Sequence, residues 1–141
     1  MKKYKQTFIP SVKTGIIKLN PKSVREYYAI HLQGKSVVNL ATNITINFTS
    51  DGKGKIGSNK VMHPPKIAVV QKLQQILEVA EFNNFGQRKE NDKQSILGYL
   101  NFKAKVKIDG KIENLRIAVV MKTDGKVYYN HEINKIVFYK K

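Results

Sequence analysis

Residues 102–112 read FKAKVKIDGKI. Phe102, Ala104, Val106 and Ile108 alternate with Lys103, Lys105 and Lys107, and a period of two puts the apolar set on one face of a strand and the lysines on the other. Asp109-Gly110 then supplies the pair of residues that tight hairpins favour, so the chain is expected to reverse and pair with itself. The first strand extends back to Ile96, and Ile112 to Met121 is its partner. A second turn at Thr123-Asp124-Gly125 leads into a third strand over Lys126 to Phe138, completing a three-stranded antiparallel meander.

Upstream of this hairpin, residues 83–94 (NNFGQRKENDKQ) are polar and turn-rich and read as a loop. Before them, following Pro64-Pro65, Val69, Val70, Leu73, Ile76, Leu77 and Ala80 recur at intervals of three and four while Gln71, Gln74, Gln75 and Glu78 face away. That is a helix running to about Phe82. A first helix is predicted from Pro21 to Gln33, capped by Asn20 and ended by Gly34, with Val24, Tyr27, Tyr28 and His31 on one face. Between the helices, Ser36 to Leu40 and Asn43 to Phe48 read as strands, the second through the alternation of Ile44, Ile46 and Phe48. A helix with one apolar stripe needs a sheet face to cover. The expected class is therefore α+β, with helices packed on one side of a mainly antiparallel sheet.

The chain has 141 residues and 41% apolar content, enough for one hydrophobic core. It has no cysteine, which removes disulfides, thiolate nucleophiles and cysteine-based metal sites. No apolar run is long enough to span a membrane, and the Lys-rich start lacks the apolar stretch of a signal peptide. Lysine and arginine total 26 against 10 aspartates and glutamates, a net charge of +16, with a pI near 10.0. Such a charge, spread over both halves, favours a polyanionic partner, because each lysine meeting a phosphate releases a condensed counterion. A solubilising charge and an acidic protein partner are the alternatives.

Three histidines, His31, His63 and His131, and no carboxylate pair at ligand spacing leave little for a metal to bind. The loop over residues 52–60 is rich in glycine and lysine but lacks the Gly-Lys-[Ser/Thr] ending of a nucleotide-phosphate cradle. RNA cleavage by attack of the 2′-hydroxyl on the adjacent phosphate is a reaction these residue types can perform. It needs a base, an acid and cations, and no cofactor. His63 precedes the helix opening at Pro64, with Lys60 and Lys66 on either side, and is the best candidate for proton transfer; it also reads as an ordinary loop histidine. His131 shares a strand face with Tyr129, the other face carrying Tyr128, Asn130 and Glu132. It reads equally as part of a strand with core tyrosines and a Glu132–Arg116 ion pair. His31 is an additional candidate, or a rim residue of the first helix. The row Lys103, Lys105, Lys107 is either a solvated sheet face or a track for phosphates.

From Ile46 onward the order of features resembles a known superfamily. A strand ends Ile-Asn-Phe-Thr-Ser50, then come a Gly-Lys loop through Lys60 and a helix containing Lys66 and ending Glu78-Val-Ala-Glu-Phe82. Next follow Gly98-Tyr-Leu-Asn-Phe-Lys-Ala-Lys-Val-Lys-Ile-Asp-Gly-Lys111, Leu115-Arg-Ile-Ala-Val119 and Asp124-Gly-Lys-Val-Tyr-Tyr-Asn-His-Glu132. This order is similar to that of the nuclease modules of phage polyvalent proteins and bacterial polymorphic toxins, the barnase, EndoU, colicin and RelE-like group, over about residues 43–138. The resemblance implies a single domain in which N-terminal helices pack on a four-stranded antiparallel sheet, with residues 1–20 as an extended lead-in. It implies a metal-independent endoribonuclease, a toxin or effector acting in the cytoplasm of a target cell and delivered within a larger protein. The expected substrate is a tRNA or other structured RNA, and the expected protein partner an acidic immunity protein or antitoxin. The roles that follow are His63 and His131 for proton transfer, Lys60 and Lys66 on the scissile phosphate, and Tyr129 and Asn130 as positioning groups. Lys53, Lys55, Lys103, Lys105, Arg116 and Tyr128 would bind nucleic acid. The rival reading is a non-catalytic basic nucleic-acid-binding module of a phage or mobile element. A third is an idle protein that occupies an acidic host protein.

Overall fold

A computed structural model describes residues 4–49, 63–129 and 136–140. Its spine is the hairpin read first in the sequence. β5 (Ile96–Ile108) and β6 (Lys111–Lys122) pair antiparallel along almost their whole length. They turn through Asp109 at φ 49° and Gly110 at φ 85°, two left-handed residues that match the right-handed twist of the ribbon. Phe102, Ala104, Val106, Leu115, Ile117 and Val119 face inward and are buried.

Each outer edge of this ribbon carries two short strands end to end. Along β5, β4 (Glu81–Gln87) pairs antiparallel with residues 98–103, and β1 (Ser11–Val12) pairs parallel with residues 107–108. Along β6, β7 (Val127–Tyr129) and β8 (Ile136–Tyr139) both pair antiparallel. The sheet then continues from β7 through a parallel contact to β3 (Thr45–Phe48) and ends at β2 (Ser36–Val38).

Three short helices complete the described fold. α1 (Pro21–His31) is capped by Asn20, whose Oδ1 accepts from Ser23 N–H at 2.8 Å. α2 (Pro64–Val70) and α3 (Leu73–Val79) pack on the inner face of the sheet, against β5 and β2. Four consecutive residues of α2, Ile67 to Val70, are buried, so the last turn of this helix is apolar all round and sits inside the core, while Lys66 before it is half-buried.

These findings correct the expected architecture of N-terminal helices on a mainly antiparallel four-stranded sheet ending in a three-stranded meander. The sheet is mixed, eight-stranded and curled, and the helices are distributed along the chain rather than gathered at its start. Of the polar stretch read as a loop, residues 88–94 form turns as expected, but its first part, residues 83–87, belongs to β4. Its Phe82 packs edge-on against Phe102 with ring centroids 5.8 Å apart, and a register shift between Phe82 and Asn84 carries the rest along the edge. The single helix expected to reach Phe82 breaks after Val70. There the N–H groups of Gln71 and Lys72 bond to carbonyls three residues back. The third strand of the meander is two strands, β7 and β8.

Two polar residues hold the assembly where strands cannot. Asn39 is fully buried. Its Nδ2 donates to the carbonyls of Leu77 and Ala80 at 2.7 and 2.9 Å, closing the C-terminus of α3, and its Oδ1 accepts from the N–H and hydroxyl of Thr42. Between the stretches of β5 paired by β4 and by β1, the Gln6 carboxamide fills the ladder. It donates to Lys105 O at 2.9 Å and accepts from Lys105 N–H at 2.8 Å. Tyr4 ties the same segment to Val79 O at 3.0 Å.

Candidate nucleic-acid interface

The outward residues of the ribbon gather positive charge because the sheet register aligns them. Lys103 pairs across from Arg116 and Lys105 from Asn114, while β8 brings Val137 beside Arg116 and Tyr139 beside Asn114. Lys105 and Arg116 are exposed and Lys103 is half-buried. Among the described residues none of these three cations is paired with a carboxylate. The Arg116 guanidinium lies 5.2 Å from the centre of the Tyr139 ring. A cavity of about 340 Å³ opens on this face, bordered by Lys5, Glu81, Lys103, Lys105, Asn114 and Tyr139. Glu81 is tethered, its Oε2 accepting from the Gln6 N–H at 2.8 Å.

Tyr128 shares this outer face at the other end of β6, opposite Val120. That is four residues from Arg116, about 13 Å along the strand. Its hydroxyl donates to Asp124 and its ring lies 4.8 Å from the Lys122 ammonium. The hydrogen bond from Tyr128, then one from the Lys126 N–H, hold the Asp124 carboxyl below its usual range, and the same contact raises the Tyr128 hydroxyl.

The remaining sequence candidates lie elsewhere. Tyr129 is fully buried, its ring 5.7 Å from Phe48, and so is a core group. His63 is the N-cap residue of α2, exposed, and its side chain makes no capping bond. Its ring is 6.1 Å from Phe138, which faces inward opposite Leu115. His63 and Lys66 therefore sit on the helix side of the sheet, while Lys103, Lys105 and Arg116 occupy the opposite face. His31 is exposed, its ring 4.2 Å from that of Tyr27. Lys53, Lys55, Lys60, Asn130 and His131 lie outside the described residues, as does Glu132. Among the described residues there is no group of three or more side chains able to hold a metal.

Sequence reading missed Tyr139, Lys5 and Gln6. Extending the alternation of the last strand past Phe138 would have placed Tyr139 outward. Nothing local marks Gln6, whose partner is 99 residues away.

Fold and face together define a mixed α+β domain with an open cationic sheet surface. The chain belongs to the family described as large polyvalent protein-associated domain 3, which it matches over residues 17–129. Membership ties it to the phage polyvalent proteins, as the resemblance implied. No curated protein and no solved structure matches the chain.

Proposed function

We propose that this domain is a nucleic-acid-binding module of a polyvalent protein and that it holds RNA by its backbone on the outer sheet face. The observation carrying this is the cluster of Lys103, Lys105 and Arg116, aligned by register beside Tyr139 and unpaired with carboxylates among the described residues. A rigid sheet fixes the spacing of such cations, so that only their side chains are ordered on binding, and each phosphate neutralised releases counterions. The family context fits a module carried within a larger protein.

Titrating labelled RNA with the protein across a salt series tests this. Binding should weaken steeply with salt, and Lys105→Ala or Arg116→Ala should each lower the log–log slope by roughly 0.7 to 0.9. A triple Lys103, Lys105, Arg116 alanine variant that folds and binds as well as the wild type refutes the assignment.

RNA cleavage is the second reading, and the exposed His63 with Lys66 in the next turn favours it. It ranks below binding because the fold expected of the ribonuclease group is not the one found, and because Tyr129 is a core group. In this reading His63 and His131 transfer protons, and an acidic immunity protein covers the cationic face. Incubation with total RNA in EDTA decides it. Intact RNA refutes cleavage, and unchanged cleavage by His63→Ala refutes the role of His63.

A further inference from the structure

The cavity on the outer face is more than a patch of charge, because an aromatic ring forms one of its walls. Tyr139 is half-buried at the β8 edge and borders the cavity, while Arg116 covers it from 5.2 Å. A base inserted between guanidinium and ring would need about 7 Å, twice the contact distance of stacked carbon atoms. The space beside Arg116 is therefore closed to a base, and the ring surface left for stacking is the one toward the cavity. A volume of about 340 Å³ suits a ligand of nucleotide size. Glu81 stands opposite Lys103 in the β4–β5 register, so a phosphate is disfavoured there. Lys105, two residues further along β5 and about 7 Å away, is the cation free of that repulsion.

We infer that this cavity takes one nucleotide of an unpaired strand, its base stacked on Tyr139 and its phosphate on Lys105. The inference rests on the reading of the outer face as a nucleic-acid surface and adds strand selectivity to it. Bases in a duplex are held within their own stack and cannot reach a ring recessed in a sheet, whereas unpaired bases splay onto aromatic groups.

The test measures fluorescence anisotropy of the full chain with three probes: a short oligouridylate, an abasic phosphodiester strand of the same length, and a duplex of that length. The wild type should bind the base-bearing strand about tenfold tighter than the abasic one. Tyr139→Leu should remove that difference while holding the abasic affinity within about twofold, and Tyr139→Phe should preserve it. Lys105→Gln, which removes the charge and leaves Tyr139 in place, should weaken both single strands alike. A wild type indifferent to the base, or a Tyr139→Leu variant that keeps the preference, overturns the subsite while leaving backbone binding intact. A duplex bound as tightly as the oligouridylate does the same. Failure of all three probes to bind overturns the underlying reading of the face.

Discussion

Replacing Asn39 removes the polar hinge between the β2–β3 connection and the end of α3. In the wild type its Nδ2 faces two carbonyls and its Oδ1 faces two donors, the orientation the network requires, since the reverse would aim an oxygen at two oxygens. In Asn39→Ala the carbonyls of Leu77 and Ala80, both on fully buried residues, lose these partners. At about 1–3 kcal/mol for each buried group left unsatisfied, and with the half-buried Thr42 discounted, the loss comes to about 3 kcal/mol. In a chain of this length that lowers Tm by roughly 10–15 °C. Urea unfolding should show a lower midpoint at unchanged slope. Asn39→Asp is the sharper perturbation, because it keeps the shape but turns a carboxylate toward the two carbonyls. It should be less stable than Asn39→Ala at neutral pH. Its folded-state pKa would lie above the unfolded value of about 3.9, so the part of its deficit due to charge is absent below that value and grows as pH rises toward the folded pKa, while the loss of one of the two donors persists at every pH. An Asn39→Asp variant as stable as the wild type at pH 7 would refute the assigned network.

Gly98→Ala should destabilise by about 1–3 kcal/mol in thermal melts, since its Cβ would meet the Phe85 ring at 2.5 Å and the Gly86 carbonyl oxygen at 2.6 Å. Phe85→Ala should relieve it only in part, because the backbone oxygen cannot yield. Gln6→Ala should accelerate amide exchange at Lys105 and cost about 1 kcal/mol, as it removes both the acceptor of the Lys105 N–H and the donor to Lys105 O. Full retention of exchange protection would show that Gln6 does not bridge the ladder. Asp109 is held below the usual carboxylate range, first by the Thr14 hydroxyl and then by the Thr14 N–H. A depressed folded pKa contributes stability above the unfolded value that is lost as pH falls through the folded one. Thr14→Val should therefore move the Asp109 carboxyl, followed by NMR titration, upward toward its ordinary pKa; no movement would remove Thr14 as the cause.

The parts of this fold legible in the sequence are those set by neighbours a few residues apart. Alternation at 102–108 gives both faces of β5, Asp109-Gly110 gives the turn, and Asn20-Pro21 gives the start of α1. What stayed hidden depends on partners far along the chain. β1 has two residues, too few for a period to register, and although the alternation of Ile44, Ile46 and Phe48 marks β3, both strands are placed in the sheet by parallel contacts about 80 to 100 residues away. β4 looks like a loop because it is an edge strand with little core to face, and its polar side chains remain exposed after Phe82. The same distinction holds for the candidate site. The lysine row was visible, because its residues lie on one strand. Its company was not, because register alone brings Arg116 beside Lys103 and Tyr139 beside Asn114.

That register also separates two ideas that a net charge of +16 had joined. A cationic chain with three histidines suggests phosphate chemistry, and the sequence allowed lysines and histidines to converge on one phosphate. In the folded domain the sheet lies between His63 with Lys66 and the Lys103, Lys105 and Arg116 cluster. A phosphate on the outer face has cations and an aromatic ring within reach but no described histidine. Catalysis by His63 would therefore need the helix side, and binding needs only the outer face. The two activities are separable by mutation: alanines on the outer face should abolish salt-dependent retention of RNA without touching the environment of His63. A His63→Ala variant should leave retention unchanged, and an equal loss of binding from both substitutions would show that the two faces serve a single site.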